Sequence, residues 1–228
     1  MAYILWKLID KKYAVYLLDD ENFDFPTLNM MKDDLVAIGG DFHPQRVLNA
    51  YENGIFPWYV DEYNYIHWFS PQKRMVLKPQ DMKVSKSLKK SIANKGFVIK
   101  SNENFEAVIR ACSEIKRKHE ASTWISEDFI KAYTNLHELD IAFSIECYLD
   151  DELVGGLYGL LIGDIFCGES MFAKVTDASK VAFYHLCQQA EKNDIKLIDC
   201  QVYNDHLASL GASEISSEEY FEILGIKS

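Results

Sequence analysis

The chain has 228 residues, of which 48% are hydrophobic and 26% charged, and its formal net charge is −11. This length can bury a sizeable core as one large domain or two modest ones, and the composition is typical of a globular protein rather than a disordered or fibrous one. Lys7, Asp10, Lys11 and Lys12 interrupt the apolar opening, which argues against a signal peptide or a membrane span. We therefore expect no membrane attachment and a cytoplasmic location.

The cysteines are odd in number and widely spaced, and no two form a Cys-x-x-Cys pair. They are Cys112, Cys147, Cys167, Cys187 and Cys200. This pattern favours reduced, buried thiols over a disulfide framework or a zinc site. We therefore expect no metal.

The first predicted helix lies in the segment HPQRVLNAYENG, with Pro44 near its start and Gly54 after its end. A ring-rich segment follows, which holds Phe56, Trp58, Tyr59, Tyr63, Tyr65, His67, Trp68 and Phe69. Because Pro57 and Pro71 forbid one regular element through it, these rings indicate a pocket wall or a surface that stacks bases. A small aromatic core under a loop explains most of them equally well.

The basic residues concentrate between Lys73 and Lys100, a stretch that contains nine of them and a single acidic residue, Asp81. This stretch carries a charge of +8, and the rest of the chain carries −19. A basic stripe on an acidic body indicates a phosphate-binding surface, and the acidic remainder suits a cationic second substrate. A solvated helix face is an equally good interpretation.

Two helices and a strand are predicted after the basic stretch. GFVIKS indicates a strand, and NFEAVIRACSEIK has apolar residues at helical spacing. Ser126 is a good N-cap for the next helix because Glu127 and Asp128 follow it in the first turn. Trp124 comes just before that cap, where a large ring can close over a neighbouring cavity.

Residues 141 to 172 predict an antiparallel meander. In its last strand, regular alternation places Ile165, Cys167, Glu169 and Met171 on one face. Glu169 is then a carboxylate in an apolar row, which costs free energy unless it is paired or hydrogen-bonded. We expect Glu169 either to brace the fold or to bind substrate.

The stretch from Leu197 to Gly211 predicts a strand followed by a short helix. If the strand continues to Val202, Asp199 and Gln201 share one face and stand about 7 Å apart, close enough to hold one small reacting group. Ile198 and Cys200 then point to the core. An equally good interpretation is that Asp199 and Gln201 satisfy the backbone of neighbouring loops.

Two hypotheses of a covalent nucleophile are weaker. The segment GESMF has Phe172 where the nucleophile elbow of a serine hydrolase needs glycine. Cys200 and His206 could form a Cys–His pair, but the predicted strand turns Cys200 toward the core.

A series of motifs runs through the chain in a fixed order: AIGGD, AYENGIFPW, HWFSPQKRMVL, TWIS, SIE, LVGGLYG, GESMF, DASKVA and DCQVYNDHLASLGA. In content and order this series resembles the leucyl/phenylalanyl-tRNA protein transferases, over nearly everything from Phe25 to Leu224. The resemblance implies an enzyme that moves leucine or phenylalanine, with methionine as a further candidate donor, from aminoacyl-tRNA to the N-terminal Arg or Lys of a protein. It further implies that this transfer marks the protein for degradation in the bacterial N-degron pathway.

The resemblance also implies an α+β fold. A small N-terminal domain, residues 1–75, would precede a GNAT-like acyltransferase domain with a mixed sheet, residues 76–228. GNAT enzymes cradle the pyrophosphate of acyl-CoA in a glycine-rich turn before a helix, and the corresponding TDASKVA has no glycine. We therefore expect no cofactor, and we expect a monomer.

Carried over by position, the resemblance places Asp199, Gln201 and Glu169 at the reaction centre. It places Trp58 and Trp124 beside the 3′ adenosine and the aminoacyl group. The donor side-chain pocket would be formed by Met171, Ile198, Leu157 and Leu186. Within the basic stretch, the candidates for tRNA contacts are Lys83, Lys86, Lys89 and Lys90.

Two features of the sequence bear on the shape of the donor pocket. The predicted strand turns Ile198 away from Asp199, so a joint pocket requires a bulge or a cavity that passes the edge of the strand. His67-Trp68-Phe69 stands where the family often has a Trp-Trp pair, and Leu186 where a Phe can occur. These departures affect the preference for Leu or Phe rather than the chemistry.

Two alternatives from other classes remain at this stage. A GNAT enzyme that acts on a small amine with another donor would be insensitive to RNase. A non-enzymatic RNA-binding module would need the basic stretch and the rings but not Asp199, Gln201 and Glu169.

Overall fold

The structure, a computed structural model, describes residues 15–19, 21–115 and 125–226. Its contacts divide the chain into two compact units. The first unit contains the described residues up to Arg74 together with those from Ile215, and the second runs from Met75 to Glu214. The sequence-based division at residue 75 assigns residues 215–228 to the second domain, whereas the described part of that segment groups with the first unit.

The described residues form strands and α-helices in an order that mixes the two types throughout. They are β1 (Tyr16–Leu18), β2 (Leu35–Gly39), α1 (Pro44–Glu52), β3 (Phe56–Val60), β4 (Ile66–Phe69), β5 (Lys73–Leu77), α2 (Lys86–Asn94), β6 (Val98–Ser101), α3 (Phe105–Glu114), α4 (Glu127–Glu138), β7 (Ala142–Leu149), β8 (Glu152–Ile162), β9 (Ile165–Ala173), α5 (Ala178–Lys192), β10 (Leu197–Asp199), α6 (Asp205–Ser209), β11 (Ser213–Ser216) and α7 (Ser217–Leu224). The predicted helix near Pro44 is α1, and the predicted meander is formed by β7, β8 and β9.

The first unit contains a four-stranded sheet with the order β1-β2-β4-β3. Trp68 of β4 is fully buried, and its indole Nε1 donates a hydrogen bond to the carbonyl oxygen of Gly39 at 2.9 Å. Phe56 of β3 is buried as well, whereas Trp58 and Tyr59 beside it are exposed. The ring-rich segment therefore supplies a small aromatic core and, separately, an exposed surface.

The second unit is built on a seven-stranded sheet with the order β11-β5-β10-β9-β8-β7-β6. Strands β9 and β10 pair in parallel, whereas β10 with β5 and the neighbours from β9 to β6 pair antiparallel, so the sheet is mixed. Helix α5 packs on one face with an apolar cluster that includes Phe166 and Ile198. On the other face, Phe105 of α3 and Tyr133 of α4 contact the ring of Tyr158 edge-on.

No helix in the described ranges combines the length and the apolar character that crossing a bilayer requires.

Candidate active site

Asp199 is the last residue of β10 and is fully buried. Its Oδ1 accepts a hydrogen bond of 2.8 Å from the backbone N–H of Gln201. An aspartate that bonds to the backbone two residues ahead forms a local turn. This turn fixes the carboxylate at the point where the strand ends.

Gln201 lies outside the strand, so the prediction of a strand that continues to Val202 is wrong beyond Asp199. Its φ of 64° is in the left-handed region, where a residue other than glycine is strained by about 1 kcal/mol. The backbone of this turn is held by Met75, whose N–H donates to the carbonyl oxygen of Gln201 at 3.0 Å. The turn, rather than alternation along a strand, brings the Gln201 side chain to the site.

Glu169 lies in a β-bulge of β9. Tyr158 pairs with Ser170, and Gly159 pairs with Gly168, so Glu169 is the extra residue with no partner position on β8. Bulges often redirect a side chain beside an active site. The Oε1 of Glu169 accepts a hydrogen bond of 2.8 Å from Nε2 of Gln201, which gives this carboxylate the partner that its apolar surroundings require.

The bulge also changes which side chains share a face of β9. Beyond Glu169 the alternation is reversed, so Met171 packs with the apolar cluster on the α5 face and pairs with Leu157. The prediction that Met171 shares a face with Ile165 and Cys167 is therefore wrong, because it assumes a regular strand.

Tyr133 was missed by the sequence analysis. It lies on α4, its ring is buried and stacked on Phe129 at 4.0 Å between centroids, and its hydroxyl donates to Oε2 of Glu169 at 3.4 Å. Within the sequence it is one more apolar position at helical spacing, and no motif distinguishes it from a core residue. Its contact with Glu169 arises from the tertiary structure alone.

The structure brings the four predicted residues of the donor pocket together. Leu157, Leu186 and Ile198 are buried in the cluster on the α5 face, and Met171 is half-buried against it. Ile198 does face away from Asp199, as alternation predicts. The bulge at Glu169 turns Met171 to the same face of the sheet as Ile198.

Two tryptophans were also predicted to line the site. Trp58 belongs to the first unit, where it is the extra residue of a second bulge: Pro57 pairs with Trp68, and Tyr59 pairs with His67. Its ring is partly exposed and meets Phe69 edge-on at 4.8 Å between centroids. Trp124 lies outside the described residues.

Helix α2 presents three of the predicted tRNA-binding lysines on its outer side, and Lys83 precedes the helix. All four, Lys83, Lys86, Lys89 and Lys90, are exposed, whereas Leu88 and Ser91 face inward. Ser91 Oγ donates to Asp177 Oδ2 at 2.7 Å, and Lys95 Nζ donates to the carbonyl oxygen of Thr176 at 2.8 Å. These contacts fix α2 to the segment that begins α5.

Asp177 occupies the N-cap position of α5 with a φ of 72°. The hydrogen bond from Ser91 is the main cause that lowers the pKa of Asp177, and Lys180 and Lys95 lower it further against the opposing effect of burial. Asp177 thus links the start of α5 to α2 through Ser91 and Lys95.

The Cys200–His206 hypothesis receives no support from the site. Burial raises the pKa of the Cys200 thiol far above its ordinary value, with Asp199 adding to the effect, so the thiolate is disfavoured at neutral pH. Burial also lowers the pKa of His206, which favours the neutral imidazole. Within the part of the chain that the structure describes, no group of three or more His, Cys, Asp or Glu side chains is arranged to hold a metal ion.

Comparison with known proteins identifies the family of the chain. The family model described as "Leucyl/phenylalanyl-tRNA protein transferase" matches residues 76–225, and the model of that family's N-terminal domain matches residues 40–72. A protein of that name from Flavobacterium johnsoniae is 46% identical over 93% of this chain and 100% of its own length. Another from Nitrosospira multiformis is 47% identical over 88% of this chain and 87% of its own length.

Solved structures show a likeness of fold. FemX covers 78% of this chain and 70% of its own, at 10% identity and a TM-score of 0.50. A GCN5-related N-acetyltransferase from Kribbella flavida covers 73% of this chain and 58% of its own, at 13% identity and a TM-score of 0.40.

A mixed sheet in an α+β fold, with a buried carboxylate and a half-buried amide at one strand end, is an arrangement that an acyltransferase can use. The chain belongs to the leucyl/phenylalanyl-tRNA protein transferase family and is therefore an aminoacyltransferase. The fold class and the family predicted from the sequence are confirmed.

The bulge depends on Gly159, because a Cβ at that position would collide with the carbonyl oxygen of Cys167 and lie 2.7 Å from the Phe166 ring. We predict that Gly159→Ala moves Glu169 and lowers the transfer rate by at least about 100-fold. Gly163→Asn is the matched control, since Gly163 has open space around it and asparagine tolerates its left-handed φ. Transfer assays and thermal unfolding of both variants check this; a folded Gly159→Ala protein with wild-type rates would contradict it.

The strain at Gln201 predicts opposite effects on stability and activity. Gln201→Gly removes the side chain and relieves the left-handed backbone, so we expect the free energy of unfolding to rise by about 1 kcal/mol relative to Gln201→Ala. Both variants should lose most of the transfer activity. Urea denaturation and transfer assays measure the two quantities; equal stabilities of the two variants would show that the turn is not strained.

Proposed function

We propose that this enzyme transfers leucine or phenylalanine from charged tRNA to the α-amino group of a protein whose N-terminal residue is Arg or Lys. The observation that carries the proposal is the connected group Asp199, Gln201 and Glu169, in the sheet whose α5 face carries the apolar cluster. The cluster residues assigned to the donor are apolar, which suits the side chains of leucine and phenylalanine. Methionine, whose side chain is apolar and adapts its shape easily, is a further donor of this class.

The reaction needs an amine and an ester but no covalent enzyme intermediate. The acceptor's α-amino nitrogen attacks the ester carbonyl carbon, the new C–N bond forms, and the C–O bond to the ribose breaks. The amine gives up a proton, and the ribose oxygen leaves as a hydroxyl. Because the ester is already activated, the enzyme mainly has to position the two substrates.

We assign the proton transfer to Asp199 and the orientation of the amine to Gln201. An α-amino group has a pKa of about 7.7–8.0, so only a minority is neutral at pH 7, and a nearby carboxylate can accept or steer its proton. Gln201 uses its side-chain N–H to bond Glu169, so its side-chain oxygen can accept an N–H from the amine. Glu169 and Tyr133 act as positioning residues that hold Gln201.

The remaining residues are assigned to the aminoacyl-tRNA. Leu157, Met171, Leu186 and Ile198 would contact the donor side chain. Trp58 and Trp124 would border the 3′ adenosine, since large rings stack on bases. The exposed Lys83, Lys86, Lys89 and Lys90 would contact tRNA phosphates.

Several broader features belong to the same proposal. We infer an N-terminal domain of residues 1–75 and a catalytic domain of residues 76–228, and a protein that acts as a monomer, with the hydrogen-bonded group of Asp199, Gln201 and Glu169 lying within the catalytic domain. It would work in the cytoplasm, where charged tRNA is found. Its product carries an N-terminal leucine or phenylalanine and would enter the N-degron pathway for degradation.

The direct test uses labelled leucine and phenylalanine on tRNA, with peptides that begin with Arg, Lys or Ala. Transfer limited to the Arg and Lys peptides and abolished by RNase is the expected result. Transfer that survives RNase would point to a different donor. Tight binding of charged tRNA without any transfer would favour an RNA-binding module.

Asp199→Ala should reduce transfer by at least about 100-fold without unfolding the protein, because general base catalysis is typically worth 10²–10⁴ in rate. Asp205→Asn is the control, since this exposed carboxylate bonds the Tyr203 hydroxyl at 2.9 Å outside the centre. Steady-state rates and circular dichroism of both variants are compared. Wild-type turnover in Asp199→Ala would refute the assignment.

Removing the charges of Lys86, Lys89 and Lys90 together should weaken the binding of charged tRNA and make its salt dependence less steep, by about one unit of slope for each phosphate that these lysines neutralise. The rate at saturating tRNA should stay unchanged. Lys196→Ala is the control, because that lysine pairs with Asp164 at 2.6 Å. An unchanged salt slope in the triple variant would show that these lysines do not bind the tRNA.

A further inference from the structure

The hairpin formed by β3 and β4 exposes several large rings in a short segment of the first unit. Tyr63 is 73% exposed, Tyr65 47% and Tyr59 38%. Large aromatic side chains usually bury most of their area, and a contiguous exposed group of them marks an interaction surface. We call Tyr59, Tyr63 and Tyr65 the tyrosine surface.

The turn that carries the tyrosine surface is fixed by its own hydrogen bonds. Asp61 Oδ1 accepts from the backbone N–H groups of Tyr63 and Tyr65, both at 2.9 Å. The N–H of Asp61 donates to the carbonyl oxygen of Tyr65 at 3.0 Å, and Asn64 completes the turn with a φ of 63°. A rigid display lowers the ordering cost of binding. The hydrogen bonds thus fix the backbone of the turn, so the tyrosine rings are displayed on a rigid turn rather than on a loose loop.

The segment that carries the tyrosine surface has a negative charge. Between residues 47 and 72 the chain has no Lys or Arg, but it has Glu52, Asp61 and Glu62. The hydrogen bond with His67 is the main cause that lowers the pKa of Asp61, and the turn amides add to it, so this carboxylate stays ionised at neutral pH. Glu52 and Glu62 are exposed. The segment lacks the cations that a phosphate backbone requires.

Rings flanked by carboxylates fit a cationic polypeptide. A Lys or Arg side chain over a tyrosine ring gains about 0.5–1 kcal/mol at an exposed site, and nearby carboxylates add a further attraction. The two substrates of the proposed reaction differ in this respect, because tRNA is a polyanion and the acceptor begins with a basic residue. The two chemistries concentrate in different segments: nine basic residues with a single acid lie between Lys73 and Lys100, whereas Tyr59, Tyr63 and Tyr65 lie in the acidic hairpin.

We propose that the tyrosine surface docks the acceptor polypeptide through a cationic stretch near its N-terminus. This inference rests on the proposed function, which requires a polypeptide as second substrate. It adds a binding surface outside the residues assigned to the chemistry and predicts that acceptors with basic residues after the first position are preferred.

The test compares variants of the tyrosine surface with a peptide that begins with Arg and has lysines at the following positions. In Tyr63→Ala/Tyr65→Ala we expect the KM for this peptide to rise by about fivefold or more, which corresponds to removing roughly two cation–π interactions. The kcat and the Kd for charged tRNA should stay within about twofold. Tyr63→Phe/Tyr65→Phe keeps the rings and should keep the wild-type KM.

Glu62→Gln separates a peptide surface from an RNA surface. If the occupant is a cationic peptide, this change raises the KM for the peptide; if it is RNA, the same change tightens the binding of charged tRNA. Leu139→Ala removes an equally exposed apolar side chain from the second unit and should leave both constants unchanged.

The outcomes separate this inference from the function on which it rests. Absence of transfer by the wild-type protein would refute the proposed function. Normal wild-type transfer with an unchanged peptide KM in the double variant would overturn the docking surface alone. A higher Kd for charged tRNA with an unchanged peptide KM would assign the rings to RNA and would likewise overturn the inference.

Discussion

The hydrogen bond between Gln201 Nε2 and Glu169 Oε1 is the interaction on which the site depends. It joins the turn after β10 to the bulge of β9. The Tyr133 hydroxyl of α4 also bonds to Glu169, and the backbone N–H of Gln201 bonds to Asp199. Each member is buried or half-buried, so an unsatisfied group in this chain would cost about 1–3 kcal/mol. These linked hydrogen bonds therefore fix the position of the Asp199 carboxylate and the orientation of the Gln201 amide at the same time.

Irregular backbone places candidate site residues in both units. Trp58 and Glu169 are each the extra residue of a β-bulge, and Gln201 has a left-handed φ. Such features cost stability and are retained where they aim a side chain. Regular strands and helices supply the apolar core and carry Asp199, whereas Glu169 and Gln201 lie where the backbone departs from regularity. We also assign the two substrates to separate segments: the polyanionic tRNA to the basic stretch between Lys73 and Lys100, and the cationic acceptor to the hairpin of β3 and β4.

Much of the fold could be predicted from the sequence because local signals agree with it. Pro44 and the Ser126 cap locate two helices, and the turns near residues 150 and 163 locate the meander. Part of the candidate site could be predicted, because Asp199 and Gln201 stand out as polar residues within an apolar stretch of the sequence. The bulge at Glu169 was not predictable, since alternation assumes regular pairing and nothing in the sequence marks the extra residue. The role of Tyr133 depends on a contact between distant parts of the chain, which no local pattern contains.

Glu169 is assigned to act through Gln201, and a double-mutant cycle tests this assignment most directly. The cycle combines Glu169→Ala and Gln201→Ala and measures single-turnover transfer rates with saturating charged tRNA and Arg peptide. If the two residues act as one unit, the double variant should be about as slow as the slower single variant, with a coupling of at least about 1 kcal/mol. Rate reductions that add would contradict the assignment and would show that Glu169 acts on the substrates independently of Gln201.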